Sequence, residues 1–323
     1  NKLLTAHIRD EGDTVEEALR EMLEIAEMTG VNLHISHLKA QGELNWHKME
    51  NLLEMIEQAR LQGMEVTYDL YPYTKLNTLL MALLPCWAQD GGVDGIIARL
   101  RDPEDKNKIL HDLEPIALKY GGWANIVVAS CRLPENSWCE GMPIRDIAVT
   151  QGISEGEAFV KLMIGDKCGI MAVCSCLSDA NVEQALIHPL AMLCSDGKIL
   201  CNTGDLSAGK PHPRNYGAFP RFICRYVREK GSLSLEDAVR RMTSYPAQKI
   251  GLHHRGILKC RMKADILIFD AEKIKDNATF DNPHQYASGI GTMIINGVVT
   301  VYRGRHTGAR AGSVLNCRDG CLE

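Results

Sequence analysis

The chain has 323 residues, of which 45% are hydrophobic and 24% charged, and its formal net charge is −5. This size allows one large α/β domain or two smaller ones, the negative charge argues against a nucleic-acid-binding surface, and no apolar run is long enough to cross a membrane. The twelve cysteines are spread through apolar runs and are expected to be reduced thiols, which favours the cytoplasm because no signal-like segment opens the sequence.

The first seventy residues alternate between strand-like and helix-like patterns. A helix is predicted to begin at Thr14, which forms a capping box with Glu17, and to end at Gly30. The other predicted elements are strands at 2–8, 31–38 and 64–73 and a helix at about 46–62. Apolar strands that alternate with helices in this way are typical of βα units that build a parallel sheet.

The alternation is less regular from about residue 76 to 190. Helices are predicted at 99–122 and 144–166, with a strand at 125–131 between them. A short strand, LAMLCSDG at 190–197, ends at Asp196, and a helix at 234–252 follows it. The segments 264–274 and 291–305 predict β-strands of a small domain, the second with an Asn-Gly hairpin turn. Only four strands of the barrel type are found, whereas a (β/α)8 barrel needs eight strands and about 250 residues.

Two histidines occupy equivalent positions in consecutive βα units. His7 and His37 each lie near the C-terminal end of a predicted strand, where chemistry is located in barrels and open α/β sheets. Either histidine alone is more often an ordinary polar residue, but neighbouring strand ends place both within reach of one metal ion. Asp196 adds a carboxylate at a third strand end, and two imidazoles with a carboxylate form a recurring hydrolytic zinc arrangement.

Further polar residues surround these three positions. An odd separation along a strand sends His34 to the face opposite His37, so His34 is expected to be structural and to lie under a helix, whereas Lys39 shares the face of His37. Arg214, in PHPRNYGAFPR, suits bidentate binding of a carboxylate or is a surface-loop arginine. Tyr71, in YPYT at the end of the third strand, offers a hydroxyl or packs. Candidates for supporting roles are Glu11, Asp69 and His212.

A family resemblance rests on many separate motifs in order. TAHIRDEG, ISHLKAQGELNW, ARLQGMEVTYDLYPYT, LPCWAQDGG, SDG, PHPRNYGAFPR, MTSYPAQKIGLHHRGIL and ADILIFD resemble the N-acyl-D-amino-acid deacylases (D-aminoacylases) of the amidohydrolase superfamily. The resemblance implies a barrel enzyme with one or two zinc ions that hydrolyses N-acyl-D-amino acids to a carboxylate and a D-amino acid.

The resemblance also implies roles for individual residues. His7 and His37 resemble the metal-ligand histidines of the fifth and sixth barrel strands. Asp196 resembles the eighth-strand aspartate that takes a proton from the attacking water and passes it to the leaving amine. The positions that bind the substrate α-carboxylate are matched by Lys39, Tyr71 and Arg214.

The chain departs from the family at its beginning. The family's first-strand His-x-His pair and its early cysteine ligand have no counterpart, so the chain resembles the C-terminal portion only. The expected fold is α/β: residues 1–254 form part of a TIM-type barrel with an active-site lid inserted at about 76–188, and residues 255–323 form a small β-domain. A missing N-terminal segment or a second chain is expected to complete the site, and the chain alone is expected to hydrolyse poorly.

Two other functions are consistent with the residues. One is hydrolysis of a cyclic amide, as in relatives of hydantoinase or dihydroorotase, although Arg214 and Lys39 favour an open-chain acyl amino acid. The other is a non-catalytic truncated fragment. Zinc content distinguishes a residual metal site from an incomplete one.

Overall fold

The computed structural model of the protein describes residues 2–315. Its strands are β1 (Leu3–Ala6), β2 (Asn32–Ile35), β3 (Val66–Leu70), β4 (Lys75–Leu79), β5 (Ile126–Ser130), β6 (Met171–Ser175), β7 (Ala191–Leu193), β8 (Ile266–Phe269), β9 (Ile290–Ile295), β10 (Val298–Tyr302) and β11 (Arg305–His306). Its α-helices are α1 (Val15–Thr29), α2 (Met49–Leu61), α3 (Gly92–Arg101), α4 (Pro103–Lys119), α5 (Ile144–Gln151), α6 (Glu155–Gly165), α7 (Asp179–Ile187), α8 (Arg214–Arg221), α9 (Leu235–Met242) and α10 (Ser244–Lys249). A π-helical segment, Phe222–Glu229, continues α8.

Four strands form one parallel sheet in the order β1-β2-β3-β7. These are the four strands of the barrel type that the sequence predicts. The central strands are buried on both faces, since Leu33, Ile35, Val66 and Tyr68 on one face and His34 and Thr67 on the other are all buried. Burial of each apolar side chain among them stabilises the fold by roughly 1.5–3 kcal/mol. The α/β class expected from the sequence is confirmed.

Helix α1 begins differently from the predicted capping box. The Thr14 side chain makes no hydrogen bond to the helix backbone. The Asp10 carboxylate instead accepts hydrogen bonds from the Thr14 backbone N–H (2.7 Å), the Thr14 hydroxyl (2.6 Å) and the Gly12 N–H (3.0 Å). The capping-box prediction is therefore wrong, because the Asp10 carboxylate accepts the Thr14 N–H that Glu17 would bind and also engages the Thr14 hydroxyl. The predicted end of the helix is confirmed, as Gly30 has a left-handed φ of 67°.

The segment between β3 and β7 contains a second sheet, which is antiparallel and has the order β4-β6-β5. The helix predicted at 99–122 is divided in two. Asp102 ends α3 in an extended conformation. Its side chain caps α4 by accepting the N–H groups of Glu104 and Asp105, the two residues after Pro103. Strand β6 and helix α7 were not predicted, because MAVCS is too short and apolar to distinguish a strand from a buried loop.

A third sheet lies at the end of the described chain, in the antiparallel order β11-β10-β9-β8. The predicted Asn296-Gly297 turn joins β9 to β10, and both residues have positive φ, 50° and 81°. This sheet lies within the small β-domain predicted at 255–323, whose last eight residues are outside the described range; the domain boundaries stay a prediction.

Two expectations about the whole chain can be checked over residues 2–315. No helix there is long and apolar enough to span a bilayer. Ten of the twelve cysteines lie in this range, and all ten are free thiols. The other two, Cys317 and Cys321, lie outside the described residues.

We expect the Gly217→Ala substitution to destabilise the protein. A Cβ atom at Gly217 would meet the Asp276 carboxylate at 1.9 Å, and this carboxylate is buried and holds the Tyr73 hydroxyl at 2.8 Å. Overpacking of this kind costs about 1–3 kcal/mol. Urea unfolding measures the loss, with Gly165→Ala as control, since the nearest atom to a Cβ there is 3.9 Å away. Equal stability of wild type and Gly217→Ala would contradict the close contact.

Candidate active site

The candidate site lies at the C-terminal edge of the parallel sheet. His7 follows β1, His37 follows β2, Tyr71 follows β3 and Asp196 follows β7. Their side chains line one cavity of about 350 Å³. The complete lining comprises His7, Glu11, His37, Lys39, Tyr71, Leu76, Asn77, Thr78, Met171, Asp196, Gly197, Lys198, Arg214 and Asn215. All six residues to which a site role was assigned from the sequence therefore meet in this cavity.

His7 and His37 face each other at the wall of the cavity. The Nδ1 atom of His7 lies 2.9 Å from the Nε2 atom of His37, and the rings are arranged edge to face with centroids 4.7 Å apart. Burial lowers the pKa of His7, and the nearby Glu11 carboxylate opposes this shift. A lowered pKa keeps the imidazole neutral at pH 7, which is the form that binds metal ions.

The backbone turns sharply at His37 and at Asp196. Both residues have a left-handed φ, 39° for His37 and 43° for Asp196, which is uncommon for a residue with a side chain. The Asp69 carboxylate stabilises the first turn by accepting the His37 N–H at 2.6 Å. Strand β2 has already ended at Ile35. The alternation of side chains along a strand therefore does not determine the directions of His37 and Lys39, although both side chains reach the cavity.

His34 lies within β2 and makes structural contacts. Its Nδ1 atom lies 2.8 Å from the Thr67 hydroxyl and its Nε2 atom 2.9 Å from the Asp69 carboxylate. Both partners belong to the neighbouring strand β3, so the ring ties the two strands together, as expected of a structural histidine. Asp69 thus orients both His34 and the turn at His37.

Glu11 is the site residue that sequence reasoning undervalued. Its Oε1 atom lies 2.5 Å from the Lys39 ammonium and 2.8 Å from Nδ1 of His37. Burial alone would raise the pKa of Glu11, but the charge of Lys39 and the hydrogen bond from His37 outweigh it and lower the pKa to about 2. The feature of the sequence that points to Glu11 is its position, because it follows His7 by four residues in the loop after β1.

Arg214 is buried and begins α8, so the alternative of a surface-loop arginine is wrong. Its guanidinium lies over the Tyr71 ring, 4.5 Å from Cζ to the ring centroid, and its Nη1 atom lies 2.9 Å from Asp196 Oδ2. The Nε and Nη1 atoms of Arg214 nevertheless lack a hydrogen-bond partner with good geometry among the described residues. Buried donors of this kind that line a cavity indicate a site for an anion.

His212 and Tyr71 support the arginine. The His212 Nε2 atom lies 2.9 Å from the Lys75 carbonyl oxygen, and the His212 Nδ1 atom accepts the Arg214 backbone N–H at 3.0 Å. Burial, followed by the charge of Arg214, lowers the pKa of His212 well below its ordinary value. Burial also raises the pKa of Tyr71 well above its ordinary value, so its hydroxyl is a neutral hydrogen-bond donor.

The residues present are compatible with a metal ion. Ligand atoms of His7, Glu11 and His37 all lie within 4.8 Å of one another. Imidazole is a ligand type that catalytic zinc sites use, and the Glu11 carboxylate lies close enough either to join the imidazoles or to orient them. The cysteines that sequence reasoning set aside are not part of this cluster.

A neutral buried His212 makes stability depend on pH. Below about pH 6.5, His212 is protonated in the unfolded chain but stays neutral in the folded state. The free energy of unfolding therefore falls as the pH falls, by up to about 1.4 kcal/mol per pH unit. We expect the difference in unfolding free energy between wild type and His212→Gln to narrow from pH 7.5 to pH 5. Urea denaturation at several pH values measures it. The exposed His111→Gln variant is the control, and a pH-independent difference for His212→Gln would contradict this assignment.

The chain is similar to several known proteins. Residues 173–305 match the amidohydrolase family. The N-acyl-D-glutamate deacylase of Alcaligenes xylosoxydans xylosoxydans is 33% identical over 91% of this chain and 50% of its own length. The D-aminoacylase and the N-acyl-D-aspartate deacylase of the same organism are 28% and 29% identical, each over 97% of this chain and 54% and 53% of their own lengths.

Solved structures give the same result. A D-aminoacylase studied for its binuclear metal centre superposes with a TM-score of 0.76 at 29% identity, covering 97% of this chain and 56% of its own. The N-acyl-D-glutamate deacylase of Bordetella bronchiseptica, complexed with zinc and a phosphonate inhibitor, superposes with a TM-score of 0.73 at 31% identity, covering 92% of this chain and 52% of its own. The chain spans about half the length of these relatives. The chain is similar to the amidohydrolase family over residues 173–305, and the relatives that it matches over 91–97% of its length are named as deacylases or aminoacylases of N-acyl-D-amino acids.

Proposed function

We propose that the protein hydrolyses the amide bond of N-acyl-D-amino acids in a zinc-dependent reaction. The observation that carries this proposal is the meeting, in one cavity, of two metal-binding histidines, a carboxylate and an arginine with unused buried donors. The first two elements suit hydrolysis, and the third suits a substrate that bears its own carboxylate. The names of the relatives support the substrate class.

His7 and His37 are the residues that would hold the metal. Their facing nitrogens already lie 2.9 Å apart, and His37 is held in place from behind by Glu11 and through its backbone by Asp69. A bound zinc ion supplies activation of a water molecule and polarisation of the acyl carbonyl. One or two ions are consistent with the family.

Asp196 is the residue proposed to transfer the proton. Its carboxylate lies on the cavity wall and contacts Arg214, which orients it at the end of β7. As general base, Asp196 takes a proton from the attacking water. As general acid, it then gives that proton to the leaving amine.

Three residues on one side of the cavity are proposed to bind the substrate α-carboxylate. Arg214 offers its unused N–H groups, and the Tyr71 hydroxyl is a neutral donor. Lys39 is buried and lies 5.9 Å from the Tyr71 ring centroid, with its charge now balanced by Glu11. Because these groups fix one end of the substrate, the hand of its α-carbon decides where the amide lies relative to His7 and His37. The carboxylate of an open-chain acyl amino acid accepts hydrogen bonds from these donors better than a cyclic amide group does.

The segment at 76–188 is proposed to act as a lid on the barrel part. Its support is that Leu76, Thr78 and Met171, from strands β4 and β6, line the cavity. Their apolar surface offers contact for an acyl group, and a cover of this kind excludes water from the reacting amide. The substrate is a small molecule in this proposal, and the relatives act on D-glutamate, D-aspartate and other D-amino acid derivatives by name.

Replacement of Asp196 by Asn is expected to remove turnover and leave the fold unchanged. Loss of a general acid and base lowers the rate about 100- to 10,000-fold. The rate of hydrolysis of N-acetyl-D-amino acids measures the effect, in the longest gene product that contains this chain, and circular dichroism checks the fold. Asp205→Asn, in the exposed connection that follows β7, is the control. Retained activity in Asp196→Asn would contradict the proton-transfer role.

Zinc binding distinguishes a chain that has a metal site from a non-catalytic fragment that lacks one. We expect the metal-stripped chain to take up zinc stoichiometrically, because nitrogen atoms of two imidazoles face each other at 2.9 Å. We expect His37→Asn to weaken binding at least about tenfold, since it removes one ligand. Calorimetric titration measures both, with exposed His111→Asn as control. Failure of the wild-type chain to bind zinc would contradict the proposed function for this chain.

A further inference from the structure

We infer that Glu11 is a positioning residue that sets the tautomer of His37 and thereby frees its Nε2 atom for the metal. The inference rests on the proposed function only in so far as a metal binds there. It assigns Glu11 a role through His37 and not as a ligand. Three contacts among Glu11, His37 and Lys39 carry it.

The first contact places Glu11 on the far edge of the His37 ring. Glu11 Oε1 lies 2.8 Å from His37 Nδ1, whereas His37 Nε2 lies 2.9 Å from His7 Nδ1. The two nitrogens of an imidazole point in divergent directions. A metal held between His37 Nε2 and His7 Nδ1 therefore lies on the side of the ring that faces away from Glu11. The Glu11 oxygen is also 3.7 Å from His7 Nδ1, farther than either of its nearer partners.

The second contact explains why a carboxylate is required. The Lys39 ammonium lies 2.8 Å from His37 Nδ1. If Lys39 donated to that nitrogen, the ring proton of the neutral imidazole would be on Nε2, where it would point at His7 and occupy the position of the metal. Lys39 is only 5% exposed, so water does not satisfy its donors instead.

The third contact resolves the competition. Glu11 Oε1 lies 2.5 Å from Lys39 Nζ and within 2.8 Å of His37 Nδ1, so one anion accepts from both donors. Its hydrogen bond from Lys39 joins two full charges and is stronger than a bond from Lys39 to a neutral imidazole. With Lys39 turned to Glu11, His37 Nδ1 carries the proton and also donates to Glu11. The Nε2 lone pair then faces the cavity. Carboxylates orient metal-binding histidines in this way in many metal sites.

Nitrogen NMR of histidine tests the inference without any metal. In ¹⁵N-histidine-labelled, zinc-free protein at pH 7.5, we expect His37 to be protonated at Nδ1. In Glu11→Leu, which has no acceptor, we expect protonation at Nε2, because Nδ1 becomes the acceptor for Lys39. Asp13→Asn, an exposed carboxylate two residues further on in the same loop, is the control and should keep the wild-type tautomer. Protonation at Nε2 in the wild type, or the same tautomer in wild type and Glu11→Leu, would overturn the inference.

Metal affinity provides the second readout. We expect Glu11→Leu to raise the zinc dissociation constant by about 10- to 100-fold, the usual effect of losing a carboxylate that orients a histidine ligand. The absorption bands of bound cobalt should keep their shape, because the set of ligands is unchanged. An unchanged zinc dissociation constant, or cobalt bands that indicate one ligand fewer, would overturn the positioning role.

These measurements distinguish failure of the proposed function from failure of the role of Glu11, and a double variant covers the case of misfolding. If wild type binds no zinc, the proposed function fails, while the tautomer measurement still decides the role of Glu11. If Glu11→Leu does not fold because Lys39 is left buried and unpaired, the double variant Glu11→Leu/Lys39→Met removes both charges. In the double variant, we expect the Nδ1-protonated form of His37 to lose its predominance, and a retained Nδ1–H would overturn the inference.

Discussion

The site depends on the parallel pairing of four apolar strands. When strands run in the same direction, the residues that follow them meet at one edge of the sheet. Ala6, Ile35, Tyr68 and Ala191 are paired in one row across the sheet, which brings the four strand ends to the same edge. Residues separated by as many as 189 positions, His7 and Asp196, consequently line the same cavity. The chemistry of the site follows from this alignment more than from any single side chain.

The same edge brings two buried cations together, and each lies beside a carboxylate. Lys39 faces Glu11, and Arg214 faces Asp196. Removing an ion from water costs several kcal/mol, so a buried cation without its partner is strongly destabilising. The first pair is closed, since both groups have their hydrogen bonds, whereas the guanidinium of the second retains unused donors. This difference identifies the side of the cavity on which a further anion would complete the arrangement.

A buried arginine outside the cavity holds the last strand of the sheet in place. The Arg241 guanidinium donates to the carbonyl oxygens of Leu186 (3.1 Å) and Ile187 (3.0 Å) at the end of α7, and its Nε donates to the Asp237 carboxylate at 2.8 Å. These bonds satisfy carbonyl groups that the end of a helix leaves free. They fasten the connection that enters β7, and therefore the strand end that carries Asp196.

The sequence by itself determined the α/β class, the four parallel strands and the strand-end positions of His7, His37 and Asp196, because strand–helix alternation and apolar runs are local patterns. Tertiary structure decided the rest. Strand parity could not place Lys39, since β2 ends at Ile35 and the backbone turns at His37. The central position of Glu11 depends on two donors from another loop. The burial of Arg214 depends on Tyr71 beneath it. Contacts between segments far apart in the chain leave no periodic signal, so only the folded structure shows them.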